Sequence, residues 1–303
     1  MIKNMDEIIK FAKMRGPKTI AVAVAEDLEV LTAVRDAKNL GIAEAIFIGD
    51  TEKIKKIAKE NDIDLSTFEM IDEKDIVKAS LKAVELVSTG KAHIVMKGLV
   101  DTAVILKAVL HPEIGLRTGN VLSHTAVFQV PSYDRLIFVT DAAMNIAPDV
   151  MVKKQIIENA VEVAHALDIK EPKVAVICAK EKVNPKMQAT VDAKELEEMN
   201  KNGKIKGALV GGPFALDNAV SIKAAEHKGI HHPVAGHADI LLVPNIEAGN
   251  VLYKSMVFFS DTKNAGVIVG AKAPVVLTSR ADSNETKLNS IALAVLMAAK
   301  NGD

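Results

Sequence analysis

Tryptophan is missing from this 303-residue chain, and only two tyrosines and eight phenylalanines are present, so aromatics make up 3%. A platform that stacks unpaired bases needs more rings than that. Excess charge is missing too. Thirty-eight Lys and Arg stand against 39 Asp and Glu, a formal net charge of −1. No overall field draws in nucleic acid or an anionic membrane surface, so cations for an anionic ligand must be gathered locally. A single cysteine, Cys178, rules out internal disulfides and a thiolate metal cluster. Uninterrupted apolar length is scarce as well: the run from Ile291 to Ala299 is too short to span a bilayer. The charged N-terminus, Met1-Ile-Lys-Asn-Met-Asp-Glu-Ile-Ile-Lys10, does not read as a signal peptide. A cytoplasmic protein without nucleic-acid or membrane partners is the expectation.

Short β-branched runs are plentiful, and they alternate with helix-period stretches. That pattern predicts parallel sheets with crossover helices. Strands are expected at Thr19–Val24, Glu44–Gly49, Phe68–Asp72, Ala92–Met96, Thr125–Val130 and Arg135–Thr140 in the first half. The second half offers Val174–Cys178, Gly207–Val210, Asp239–Val243, Gly266–Val269 and Pro274–Leu277. Pro131-Ser-Tyr-Asp134 is short enough to fold its flanking strands back as an antiparallel hairpin. Ala147-Pro-Asp149 opens a new helix whose buried stripe is Ile156, Ala160, Val163, Ala164 and Leu167. No linker or repeat parts the halves. At 49% hydrophobic, the chain can bury one large core or two ordinary ones; length favours two, with a boundary near 141–149.

Candidate chemistry sits where strands meet helices. In Pro274-Val-Val-Leu-Thr-Ser-Arg-Ala-Asp-Ser283 a buried strand gives way to Ser279 and Arg280 ahead of a helix. A hydroxyl beside a fork of guanidinium donors suits a phosphate oxygen or a developing oxyanion. Asp282 followed by Glu285 reads as an N-cap with its capping-box partner. Lys97-Gly98 closes another strand, and Arg117 in Gly115-Leu-Arg-Thr-Gly119 offers a second cation, or pairs with Glu113. After Pro244-Asn245 a helix opens with Glu247 and Gly249 and carries Asn250, Tyr253 and Lys254 on one face by i, i+3, i+4 spacing. Small residues there allow a ligand to approach the backbone. Gly211-Gly-Pro-Phe-Ala-Leu-Asp217 is expected to end its strand. His227, His231, His232 and His237 lie around an expected turn without a thiolate, and no metal site is expected. Cys178, inside an apolar strand, is expected to be an inert core thiol.

These motifs together resemble the phosphate acetyltransferase/butyryltransferase family over nearly the whole chain. The most specific are Met96-Lys-Gly-Leu-Val100, Gly115-Leu-Arg-Thr-Gly119, the block from Ala235 to Lys254, and Pro274 to Ser283. Leu81-Lys-Ala-Val-Glu-Leu-Val-Ser-Thr-Gly90 and Val276 to Ser283 look like its butyryl branch. The resemblance implies a two-domain α/β fold similar to isopropylmalate dehydrogenase, with parallel sheets flanked by helices and an interdomain cleft. Domain one would be 1–140 plus 274–303, and domain two 141–273. The implied reaction is reversible acyl transfer between CoA and phosphate within one ternary complex, by a homo-oligomer without a tightly bound cofactor. Ser279 and Arg280 would hold the oxyanion; Lys97, Arg117, Asn250, Tyr253 and Lys254 would contact CoA or phosphate. Acetyl-specific members place an aspartate, the base for the CoA thiol, where this chain has Thr286. Glu285, Asp282 or an acid elsewhere stays open for that role, and Lys254 or Lys263 for the CoA contacts made by arginines in those members. Phosphate acetyltransferase is the alternative within the same chemistry; a same-fold metal-dependent decarboxylating dehydrogenase and a non-catalytic CoA or acyl-phosphate sensor are the alternatives from other classes.

Overall fold

The structure is a computed structural model that describes residues 1–278 and 282–300. In chain order it begins α1 (Met5–Arg15), β1 (Lys18–Ala23), α2 (Leu28–Asn39), β2 (Ala43–Gly49), α3 (Thr51–Glu60), β3 (Glu69–Asp72), α4 (Ile76–Ser88), β4 (Ile94–Lys97) and α5 (Thr102–Val109). Next come β5 (Ser123–Gln129), β6 (Leu136–Thr140), α6 (Val150–Ala166), β7 (Lys173–Ile177), α7 (Gln188–Lys201) and β8 (Leu209–Phe214). Then follow α8 (Leu216–Val220), α9 (Ile222–His227), β9 (Ile240–Leu242), α10 (Ile246–Phe259), β10 (Lys263–Val269), β11 (Val275–Val276) and α11 (Asn284–Lys300). Aspartates placed between strand and helix explain many of these starts. Asp27, Asp50, Asp75 and Asp149 each accept a hydrogen bond from an N–H of the following first turn.

Two compact units divide the chain. The terminal unit is Met5–Asn120 with Ala265–Asp303; the central unit is Met1–Asn4 with Val121–Asn264. Both limits fall earlier in the chain than the expected 140/141 and 273/274. The reason is strand pairing: the β5–β6 hairpin joins β9 of the central unit, and β10 pairs with β11.

In the terminal unit the strands run β3-β2-β1-β4-β11-β10, parallel except for the β10–β11 pair. α11 is buried almost all round from Lys287 to Ala299, as a helix enclosed on every side must be. Each fully buried Val, Leu or Ile there contributes about 1.5–3 kcal/mol. In the central unit the order is β5-β6-β9-β7-β8, with β5 antiparallel to β6, as Pro131–Asp134 predicted, and the others parallel. β8 continues through Gly211, Gly212 and Pro213 to Phe214, where the sequence reading ended it at Val210. Small residues are needed there: a Cβ on Gly211 would sit 2.3 Å from the His232 ring, which packs edge-on against Phe214.

Each unit contains one place where the connections diverge. In the terminal unit the chain leaves β1 toward β2, whereas β4 lies on the other side of β1. In the central unit the chain leaves β7 outward to β8, while β9 returns between β7 and β6. At such switch points the loops part beyond the carboxyl ends of parallel strands and leave a crevice for ligands.

Candidate functional site

Lys97 is the last residue of β4 and therefore stands at the terminal unit's switch point. It is buried, and its Nζ donates to the Gly98 carbonyl at 3.3 Å. Gly98 is there because nothing larger fits. Its N–H donates to Ala23 O at 2.9 Å, and an added Cβ would lie 2.1 Å from Val24 O. The next residue repeats the stitch, Leu99 N–H to Val24 O at 2.7 Å. Val24 meets this contact with φ +56°, a left-handed conformation in a β-branched residue. Such strain costs about 1–3 kcal/mol and tends to collect at ligand sites. Sequence reasoning missed Val24, because a β-branched residue gives no cue for positive φ.

β11 lies parallel to β4 on its other side, with Val276 opposite Met96. Thr278, two residues beyond, is buried. Ser279 and Arg280, expected to hold the oxyanion, come next and lie outside the described residues. Beyond them the cap of α11 is Ser283 rather than Asp282. The Ser283 Oγ accepts from Thr286 N–H at 3.2 Å, and its carbonyl accepts from Lys287 N–H at 3.1 Å. One residue of register separates the two readings, since a serine next to an aspartate serves as well at this position. Glu285 is consequently exposed and out of step for a capping box. Thr286 has its hydroxyl 3.2 Å from the Ser283 Oγ. Lys287, which sequence reading passed over, is buried, with Nζ on the Asp282 carbonyl at 2.5 Å.

Arg117 is exposed and bridges by backbone to Ala271; among the described residues no ion pair joins it to Glu113. Its segment is held by Lys272 N–H to Leu116 O at 2.8 Å and Thr118 Oγ1 to Gly270 O at 2.5 Å.

The remaining three expected site residues share α10 in the central unit. Asn245 caps this helix through Ala248 N–H. Asn250 Nδ2 reaches Ala142 O at 3.4 Å, Tyr253 is half-buried and Lys254 exposed. The Tyr253 ring lies edge-on to Phe128 and His124 with centroids 5.4 and 6.0 Å away, and its hydroxyl accepts from Asn264 Nδ2 at 3.0 Å. Gly249 was expected to admit a ligand. Instead the protein's own backbone takes the space, since a Cβ there would meet Val243 at 2.7 Å and Asp141 O at 2.8 Å.

Cys178 is a buried thiol that donates to Ala189 O at 3.2 Å, and burial pushes its pKa up to about 12. It is no nucleophile at neutral pH. Within reach of this thiol's electrostatics, the central unit holds a buried pair that sequence reading did not single out. Lys153 Nζ lies 2.6 Å from Asp192 Oδ2, and Gln188 Nε2 donates to the other oxygen at 2.8 Å. Buried charges survive only when paired and hydrogen-bonded in this way. The helical spacing of these residues does not reveal it, because the partners come from α6 and α7.

Comparison with known proteins bears on both units. The family model described as phosphate acetyl/butaryl transferase matches residues 3–80 and 73–295. The chain is 56% identical over 298 residues to the phosphate butyryltransferase of Clostridium acetobutylicum, covering 98% of this chain and 99% of that one. It is 44% identical over 294 residues to the phosphate acetyltransferase of Thermotoga maritima, covering 97% and 99%. Among solved structures, a branched-chain phosphotransacylase from Enterococcus faecalis V583 superimposes with a TM-score of 0.82 at 37% identity, over 93% of this chain and 99% of that one.

Proposed function

The chain belongs to the phosphate acetyl/butaryl transferase family, and from that premise we infer that it is an acyltransferase. Its reaction is reversible: butanoyl-CoA and phosphate give butanoyl phosphate and CoA. The 56% identity to a phosphate butyryltransferase across essentially the whole of both chains carries this reading.

In the forward direction a phosphate oxygen attacks the thioester carbonyl. The carbon–oxygen bond forms, the carbon–sulfur bond breaks, and CoA leaves as thiolate to be protonated. Both substrates are held together in one ternary complex, where fixed orientation replaces a chance encounter. We assign Ser279 and Arg280 to the oxyanion of the tetrahedral state, where losing one donor costs about 3 kcal/mol, roughly a hundredfold in rate. Lys97 supplies a fixed positive charge at the strand ends for phosphate. Arg117, Asn250, Tyr253 and Lys254 are assigned to CoA and phosphate contacts. The Thr286 hydroxyl is no general base at neutral pH, and a thiol with pKa near 8.5 ionises readily beside a cation. CoA acts as substrate and no tightly bound cofactor is needed. A cytoplasmic homo-oligomer fits this activity. Phe258 and Phe259, 71% and 88% exposed at the end of α10, favour a partner copy.

Free CoA release from acetyl-, propionyl- and butyryl-CoA, with and without phosphate, tests the reading. Phosphate-dependent release that peaks with butyryl-CoA is expected. A peak with acetyl-CoA would keep the chemistry and move the acyl preference. No phosphate-dependent release from any of the three would sink the activity. Ser279→Ala should lower turnover about a hundredfold while CoA binding persists.

A further inference from the structure

The central unit's own switch point opens into a cavity of about 510 Å³. That volume lies inside the usual range of small-molecule sites, about 300–1,000 Å³. The cavity lies where the chain leaves β6 and β9 and enters α7, lined by Ala147 to Val150, by Pro244 and Asn245, and by Gln188, Ala189 and Asp192. None of the residues assigned above to the acyl transfer belongs to this lining.

Its chemistry is mixed in an informative way. Pro148, Val150, Ala189 and Pro244 give apolar walls. Asn245 uses its Oδ1 to cap α10 through Ala248 N–H at 3.0 Å, so what it offers a ligand is its amide donors. Gln188 spends Nε2 on Asp192, so it offers Oε1 as an acceptor. The Lys153–Asp192 pair, 6% and 7% exposed, is part of the lining and braces α6 against α7. Three carboxylates, Asp149, Asp192 and Glu195, face a single ammonium there. A phosphate is repelled from that interior, while a neutral, planar group with donors and acceptors on its edge is accepted. Outside the lining the sign reverses. The connection from β7 to α7 carries the exposed Lys180, Lys182 and Lys186, and the first turn of α7 follows Met187 with no side-chain cap. Lysines and a helix N-terminus there suit a phosphate that stays out in solvent.

We propose that this cavity holds the adenine ring of an adenine nucleotide, with the nucleotide's phosphates lying against the Lys180–Lys186 connection. The inference rests on the reading of CoA as substrate for the nucleotide's source, since CoA itself carries adenine and phosphates. A free adenine nucleotide offers the same chemistry.

Calorimetric titration of the full chain with adenosine, AMP, CoA and pantetheine separates these cases. AMP and CoA are expected to bind in competition. Ala189→Leu, which fills the cavity, should weaken both by tenfold or more and leave pantetheine unaffected. Lys182→Gln/Lys186→Gln, on the exposed connection, should weaken AMP and CoA but not adenosine, and it serves even if the Ala189 variant folds poorly. AMP binding that both variants weaken but CoA does not displace would assign the cavity to a free nucleotide. AMP and CoA affinities untouched by either variant would overturn the proposal. AMP binding as expected, with no phosphate-dependent acyl transfer in the parent chain, would instead count against the activity and leave the cavity standing.

Discussion

The two switch points are built by opposite means. In the terminal unit the crevice is drawn tight. Gly98 lets β4 press onto β1, two consecutive N–H groups stitch the loops together, and Val24 bears the strain with φ +56°. In the central unit Gly249 also lets the backbone close in on Asp141 O, but beside that contact the crevice stays open and polar, lined by the buried Lys153–Asp192 ion pair. A tight crevice fixes backbone dipoles and a lysine in place, which suits an oxyanion or phosphate that must be met at hydrogen-bond distance. An open one with mixed edges suits recognition of a larger, neutral group. On the readings proposed above, the same topological rule serves the reaction in one unit and recognition in the other.

Breaking the central ion pair should have the largest effect on stability. Lys153→Met or Asp192→Asn alone leaves an uncompensated buried group, and the expected loss is about 3–5 kcal/mol. The double variant Lys153→Met/Asp192→Leu should recover most of it, read by urea unfolding of all three. If the double variant is as unstable as the singles, the pair is not what keeps this crevice in shape. Next is Gly98→Ala, which places a methyl 2.1 Å from Val24 O. A loss of about 1–3 kcal/mol is expected, together with weaker phosphate saturation. Unchanged phosphate kinetics in that variant would mean that the tight crevice is structural only.

The smallest effect serves as the control, at the opposite ends of the central strands. Asp239 is buried just before β9, and burial raises its pKa, opposed by the Lys173 N–H at 2.8 Å. A carboxyl raised in the folded state adds stability below its unfolded pKa of about 3.9 and loses it as pH rises through the folded value. Asp239→Asn keeps an acceptor for Lys173 and removes the charge. It should be more stable than the parent at neutral pH, with the gap closing in acid, as urea midpoints across pH will show. Neither crevice should respond.

Much of the fold was legible because its signals are local. Ala147-Pro-Asp149 announced the start of α6, and Pro131-Ser-Tyr-Asp134 announced the β5–β6 hairpin. Strand order was not legible. Nothing near Ile240 in sequence says that β9 slots between β6 and β7, yet that insertion creates the central switch point. For the same reason Lys153 and Asp192, far apart in the chain, look like ordinary helix residues until α6 and α7 pack. Lys97 does close its strand, whereas Gly249 misled, because a small residue opens space for a ligand and for the chain's own backbone alike. At 282–286 the error was one residue, the usual uncertainty of a helix end.

The position of Cys178 has a consequence for handling a coenzyme that is itself a thiol. Burial pushes its pKa up to about 12, so the thiol stays protonated at neutral pH, and the sulfur is buried as well. Thiol–disulfide exchange needs an accessible thiolate. A protein that receives and releases free CoA thus keeps its only sulfhydryl where oxidised coenzyme cannot cap it as a mixed disulfide.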